Sequence, residues 1–153
     1  MKKLGRLIAA AGLTALPLLL STGTAQAAAP QEPARPSVAA EPDGYLYAWV
    51  NINRGGDWCR WLNNDDNWNT CSGSKASFDM RNKASSLDNR GFTGSYEDVD
   101  LFYSPSQQGS SNCLPNGYYL NNLAGIYFRW DGKPGQGQTM NDNIASHKWS
   151  NAC

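Results

Sequence analysis

Eight residues near the middle of the chain, MRNKASSL from Met80 to Leu87, return further on as MNDNIASH from Met140 to His147. Each copy runs Met, three polar residues, Ala or Ile, a small residue and then Ser. A repeat of this kind restricts the chain to folds built from two like units. The likeness extends outward from the motif. NRGGDWC sets Gly55 four residues before Cys59, and QQGSSNC sets Gly109 four before Cys113. An aromatic run precedes each, ending near Trp49 in the first half and Tyr103 in the second. Both halves therefore read as aromatic strand, glycine turn, Cys-bearing strand and Met-headed motif, an order that suits two Greek keys packed face to face.

The runs between the turns support strands rather than helices. YLYAWVNI, WCRWL, VDLFY, GYYL and AGIYFRW are short, aromatic and β-branched, and Gly, Asn, Asp and Ser bound them. That pattern predicts an all-β sandwich or barrel. In VDLFY, Val99, Leu101 and Tyr103 alternate with Asp100 and Phe102. In YLYAWVNI, Tyr45, Tyr47, Trp49 and Asn51 alternate with Leu46, Ala48, Val50 and Ile52, so one face of each run is expected to meet a core.

The first 27 residues combine a basic start at Lys2, Lys3 and Arg6 with an apolar run and a small-residue exit at Ala25 to Ala27. They read as a secretory signal. Pro17 and the polar Ser21 to Thr24 leave the run short of the roughly 20 residues that a spanning helix needs, so a membrane partner is not expected. Residues 28–44 are rich in Pro, Ala and Glu and read as an extended leader. The folded domain is then expected over residues 45–153, an ordinary size for one domain. The whole chain carries 13 basic and 13 acidic residues. Removal of the signal makes it mildly acidic, with no basic stripe for nucleic acid.

All four cysteines, Cys59, Cys71, Cys113 and Cys153, lie in the exported part. In an oxidising compartment an even count reads as disulfides. Three pairings are open, and one bridge within each half, Cys59 to Cys71 and Cys113 to Cys153, is the pairing that follows the repeat. No pair has the close spacing of zinc ligands, and the only histidine is His147.

An aromatic strand, a turn glycine and a late motif of Asn/Asp, Asn/Asp, two variable residues, Ser/Thr and Ser form the signature of the βγ-crystallin fold. RNKASS (Arg81 to Ser86) and NDNIAS (Asn141 to Ser146) resemble its two copies. With the signal, the four cysteines and CLPNGYYLNNLAG, the chain from about Tyr45 to Cys153 resembles more narrowly the secreted bacterial peptidase inhibitors on this fold. Their founding activity is inhibition of thermolysin-like metalloproteinases. The resemblance implies a βγ-crystallin-like sandwich of two Greek-key motifs, an extracellular protease as partner and no enzymatic activity. No cofactor is required, and a monomer is expected.

In the resembling fold each motif copy supplies calcium ligands, which here nominates Asn82, Ser85, Asn141 and Asp142. Arg81 replaces the first ligand of copy one and Ala145 the fifth of copy two. Two readings stand: weak calcium binding, or a motif whose Ser and Asn side chains bond a loop onto a neighbouring strand. For inhibition, SSNCLPNG (Ser110 to Gly117) is the candidate segment. A thermolysin-like enzyme prefers a large apolar residue just after the scissile bond, which places Leu114 there, pinned by Cys113 and stiffened by Pro115. The alternative is an ordinary hairpin with Leu114 buried.

Other clusters carry less. Adjacent Asp65 and Asp66 in NNDDNWN diverge in a turn and give no acid–base pair. GKPGQG, Gly132 to Gly137, lacks the Gly-Lys-Ser/Thr end of a phosphate loop. The six tryptophans and seven tyrosines allow polysaccharide binding as an alternative function, although most are expected in the core.

Overall fold

Alternation becomes strand pairing in the computed structural model, which describes residues 37–38 and 40–153. Strands β1 (Ser37–Val38), β2 (Tyr45–Asn51), β3 (Gly55–Trp61), β4 (Ser72–Gly73), β5 (Ser86–Arg90) and β8 (Tyr118–Leu120) form one sheet in the order β1-β8-β5-β2-β3-β4. A second sheet, ordered β7-β6-β9, contains β6 (Asp98–Ser104), β7 (Gln108–Leu114) and β9 (Ser146–Ser150). Every pairing is antiparallel. Helical structure among the described residues is confined to the 3-10 turns Ile52–Arg54 and Leu123–Gly125.

The two halves exchange their third strands. Strand β8, from the second half, pairs with β5 of the first through Leu87↔Leu120 and Asp88↔Tyr119. In return the first half sends Asp65 across to pair with His147 of β9. The result is a βγ-crystallin-like sandwich of two interlocked Greek keys.

The duplicated motif sits where the halves meet. Met80 and Met140 are buried, as are Ala84 and Ile144. Asn82 and Asp142 both adopt left-handed backbone, with φ of 56° and 57°. The copies then bond to each other: Asn82 N–H donates to the Ile144 carbonyl at 2.9 Å, and Asp142 N–H to the Ala84 carbonyl at 3.0 Å. The last Ser of each copy fastens a hairpin. Ser86 Oγ accepts from Arg54 N–H at 3.0 Å and donates to the Asn51 carbonyl at 2.7 Å. Ser146 Oγ does the same with Gln107 N–H at 3.1 Å and the Ser104 carbonyl at 2.7 Å. The repeat therefore encodes two folded hairpins and the joint between them.

Register corrects one part of the repeat. Asn51 pairs with Gly55, and Ser104 with Gln108. Gly56, not Gly55, is thus the counterpart of Gly109, and these two share positive φ of 73° and 78°. A Cβ on Gly56 would lie 2.7 Å from the Val50 and Asn51 side chains, so the turn needs glycine there. The cysteines are consequently offset by one residue, which in a strand means opposite faces. Cys59 is wholly buried opposite Ala48, whereas Cys113 is half-exposed opposite Asp100. The pairing itself is as expected, Cys59–Cys71 and Cys113–Cys153.

The core lies between the sheets. Leu46, Ala48, Cys59, Trp61 and Leu87 face Val99, Leu101 and Leu114, and Trp68, Leu123 and Phe128 close the ends. Tyr47 and Trp49, on the outer face of β2, are also largely covered. Their rings stack at 5.6 Å, and Arg90 lies over Tyr47 at 4.6 Å.

The expected signal over residues 1–27 lies outside the described residues, as does most of the leader. Within the leader, however, Ser37–Val38 pairs with Tyr118–Tyr119 of β8, and the Asp43 and Gly44 N–H groups donate to the Arg90 carbonyl at 3.0 and 2.8 Å. Ordered structure thus begins before Tyr45, because the outer edge of β8 offers unpaired backbone groups. Among the described residues, no helix is long and apolar enough to cross a membrane.

Candidate functional site

Cys113 and Leu114 end β7 and Pro115 follows it, in a segment tied by a disulfide and by side-chain bonds. Cys113 is bridged to Cys153. Asn116 N–H donates to Asp98 Oδ1 at 3.1 Å, and its side-chain amide donates to the Gly91 carbonyl at 2.8 Å. Leu114 is nevertheless only 1% exposed and lies opposite Val99 in the core. The expectation that Leu114 enters a protease cleft is therefore corrected: strand alternation turns it inward, since Cys113 and Pro115 on either side take the outer positions.

The apolar surface at this end belongs to the neighbouring β5–β6 turn. Phe92 and Tyr96 are each 64% exposed, and with Leu62 and Trp149 they line a cleft of about 270 Å³. The stem of the turn is fixed by Asn89, a buried residue whose amide donates to the Glu97 carbonyl at 3.0 Å and the Leu114 carbonyl at 3.1 Å. Asn89 Oδ1 accepts from Gly91 N–H at 2.9 Å. A Cβ at Gly91 would sit 2.7 Å from the Trp149 ring, and one at Gly44 would sit 2.7 Å from the Phe92 ring. Two glycines thus let aromatic rings pack directly on backbone. Beyond Phe92, Gly94 N–H donates to the Glu97 carboxylate.

The other sequence candidates are spread over the molecule. Acceptors near the calcium motif are taken by the chain's own donors. In copy one the Lys83 ammonium bonds the Asp79 carboxylate at 2.9 Å and its carbonyl at 2.8 Å, while Arg81 N–H takes the other carboxylate oxygen at 3.1 Å. In copy two the Asn143 amide donates to the Thr139 and Asn141 carbonyls at 3.0 and 3.1 Å, and the Asn141 amide to Asp142 Oδ2 at 2.8 Å. Ala145 is buried with a methyl where a hydroxyl ligand would stand. Calcium takes six to eight oxygens; of the four candidates, Asn141 and Asp142 bond each other, while the side chains of Asn82 and Ser85 make no hydrogen bond among the described residues. Asp98, Cys113 and Cys153 also cluster, but both sulfurs are in the disulfide.

His147 is engaged at both nitrogens. Trp68 Nε1–H donates to Nδ1 at 2.8 Å, and Nε2 meets the Asn63 carbonyl at 3.0 Å, so Nε2 carries the proton. Burial pushes its pKa down to about 3. It joins the first half's crossing segment to β9 and offers no free nitrogen to a reaction.

A second cleft was not visible in the sequence. Tyr45, Arg60, Trp61, Asn63, Asp65, Thr70 and Ser72 line about 590 Å³ beside the Cys59–Cys71 bridge. The Asp65 carboxyl is pushed up, first by burial and further by Asp66.

One solved structure, described as "Evolution of the eye lens beta-gamma-crystallin domain fold", is similar at 17% identity with a TM-score of 0.49, covering 74% of this chain and 93% of that chain. No family model and no curated protein matches the chain.

Proposed function

We propose that the chain is a secreted inhibitor of an extracellular, thermolysin-like metalloproteinase, and that it presents the Gly91–Phe92 turn rather than Leu114. The observation that carries this reading is Phe92: a large apolar side chain, 64% exposed, on a turn whose two flanks are tied down by Asn89, Asn116 and Glu97. Proteases of this type favour a large apolar residue after the scissile bond, and Phe92 meets that preference after Gly91. A segment already held in one shape loses little entropy on docking. Were the Gly91–Phe92 bond cut, the bonds on both sides would keep the ends in place. The two disulfides suit an extracellular setting, and the engaged His147 and oxidised cysteines suit a protein that binds rather than catalyses.

Titration of a thermolysin-like protease with the purified domain tests this. The expected result is stoichiometric loss of activity, weakened at least about 100-fold in Phe92→Gly, as removal of a central aromatic anchor implies. Full protease activity at micromolar excess of the wild type would overturn the inhibitor reading. Undiminished inhibition by Phe92→Gly would overturn the choice of turn.

A further inference from the structure

The cleft beside the Cys59–Cys71 bridge brings together polar groups whose bonding capacity the described residues use only in part. Arg60 makes no ion pair among the described residues; its guanidinium faces the Tyr47 hydroxyl and lies over the Tyr45 ring at 4.5 Å. The Asn63 backbone carbonyl is committed to His147, but its exposed side-chain amide makes no hydrogen bond. Asp65 uses Oδ1 to accept from Asn67 N–H at 2.8 Å, and the Trp61 indole lies beside its carboxylate. Trp61 is 7% exposed, and its buried Nε1 has no close hydrogen-bond partner among the described residues. Such a donor is costly unless something satisfies it.

The walls are rigid and chemically mixed. The Asp65 backbone is fixed by reciprocal bonds with His147 at 3.2 and 2.9 Å, and Cys71 is fixed by its disulfide. Tyr45 and Leu62 add apolar surface to the hydroxyls of Thr70, Ser72 and Ser77. The volume, about 590 Å³, is that of a small-molecule pocket, roughly 300–1,000 Å³. One guanidinium beside one carboxyl leaves no strong net charge, which disfavours phosphate, polycations and other strongly ionic ligands. Closely spaced donors and acceptors beside an aromatic ring match a neutral ligand that carries many hydroxyls on a partly apolar ring face.

We infer that this cleft is an oligosaccharide-binding site, in which Arg60, Asn63 and Asp65 bond sugar hydroxyl or acetamido groups against the Tyr45 side. It is independent of the inhibitory turn, although Leu62 lines both clefts. Such a site would hold the protein on a cell-wall or matrix glycan.

The test is titration of the full secreted chain with chitohexaose and, separately, cellohexaose, followed by calorimetry and by tryptophan fluorescence, for which Trp61 is the reporter. Saturable binding of at least one is expected; chitohexaose alone would identify acetamido recognition, and both would identify hydroxyl recognition. Arg60→Met and Asn63→Ala should each weaken binding at least about tenfold, the loss expected for one strong hydrogen bond, and Asn63→Ala should do so with thermal stability unchanged. Phe92→Gly should bind as the wild type does. No heat with either sugar at millimolar concentration, or full binding by both cleft variants, would overturn the assignment.

Discussion

The halves of the sandwich share one backbone plan and fill it differently. Ser86 and Ser146 make the same pair of bonds, yet the next residue is Leu87 in one and His147 in the other. Leu87 packs against apolar neighbours and pairs with Leu120 in a regular ladder. His147 instead receives a crossing segment whose one backbone bridge to β9 is at Asp65; His147 adds bonds to Trp68 and Asn63, and Asn64 Oδ1 accepts from Trp149 N–H at 2.8 Å. Stacked Trp61 and Trp68, 4.4 Å apart, close around it. A ladder needs only the right backbone, whereas a crossing this short needs a side-chain lock. The comparison teaches that bonds around the two serines define the fold, while the residues that follow decide how each crossing is held.

The largest effect that separates the halves should come from their disulfides. The second-half bridge closes 40 residues and the first-half bridge 12. Loop-closure entropy makes these worth about 4 and about 3 kcal/mol. Replacing Cys113 and Cys153 by Ala should lower stability in urea by about 4 kcal/mol. Mild reduction should open this bridge first, because Cys113 is partly accessible while Cys59 is wholly buried. If peptide mapping of partly reduced protein found Cys59–Cys71 opened first, the first half would be the looser one and the comparison would be reversed.

Much of this asymmetry is invisible in sequence for a physical reason. Duplicated motifs, strand alternation at Val99 and Leu101 and the cysteine count are local or periodic signals, and they led to the architecture and the pairing. A one-residue offset changes no local signal but exchanges faces, so the spacing to cysteine pairs Gly55 with Gly109 where the register pairs Gly56; Leu114 suits a protease by its type, and only the strand register shows that it faces the core. Phe92 sits in a polar turn with no periodicity, and only its packing on Gly44 shows where it lies. The polar cleft draws Tyr45, Arg60, Asp65 and Ser77 from separate segments, so no short window contains it. Ser37–Val38 is composed like a leader and is ordered by the edge it meets.

Acid offers a way to break one crossing and spare the other. His147 takes a proton near 6.5 in the unfolded chain but only near 3 in the folded one. Between those values unfolding takes up a proton, so stability falls as pH falls, by up to about 1.4 kcal/mol per unit. From pH 6.5 to 5, above the range where most carboxylates titrate, the loss should approach about 2 kcal/mol. His147→Gln should flatten that slope. Hydrogen exchange should show the Asp65 and Trp68 amides losing protection before the Leu123 amide, whose segment follows β8 and bonds the Ser85 carbonyl. Equal loss on both sides would mean that His147 does not lock one crossing alone.

The serines should give a smaller effect and the sharpest comparison. Each hydroxyl satisfies one backbone N–H and one carbonyl, so Ser86→Ala and Ser146→Ala should each cost about 1–3 kcal/mol in urea unfolding. Equal costs would show that the two hairpins depend on the same bonds. Surroundings are where they differ: Arg54, whose N–H meets Ser86, also reaches buried Asp88 at 3.3 Å and lies over Tyr119 at 4.3 Å. Asp88 in turn holds Arg90 at 2.9 Å. Its positional counterpart in β9 is exposed Lys148, which makes no ion pair among the described residues. If removal of Ser86 lets Arg54 shift, Asp88 loses a partner in a buried position and the first-half cost exceeds the second. A double-mutant cycle of Ser86→Ala with Arg54→Met measures that excess; zero coupling would leave the hairpin and the outer charged face as independent layers.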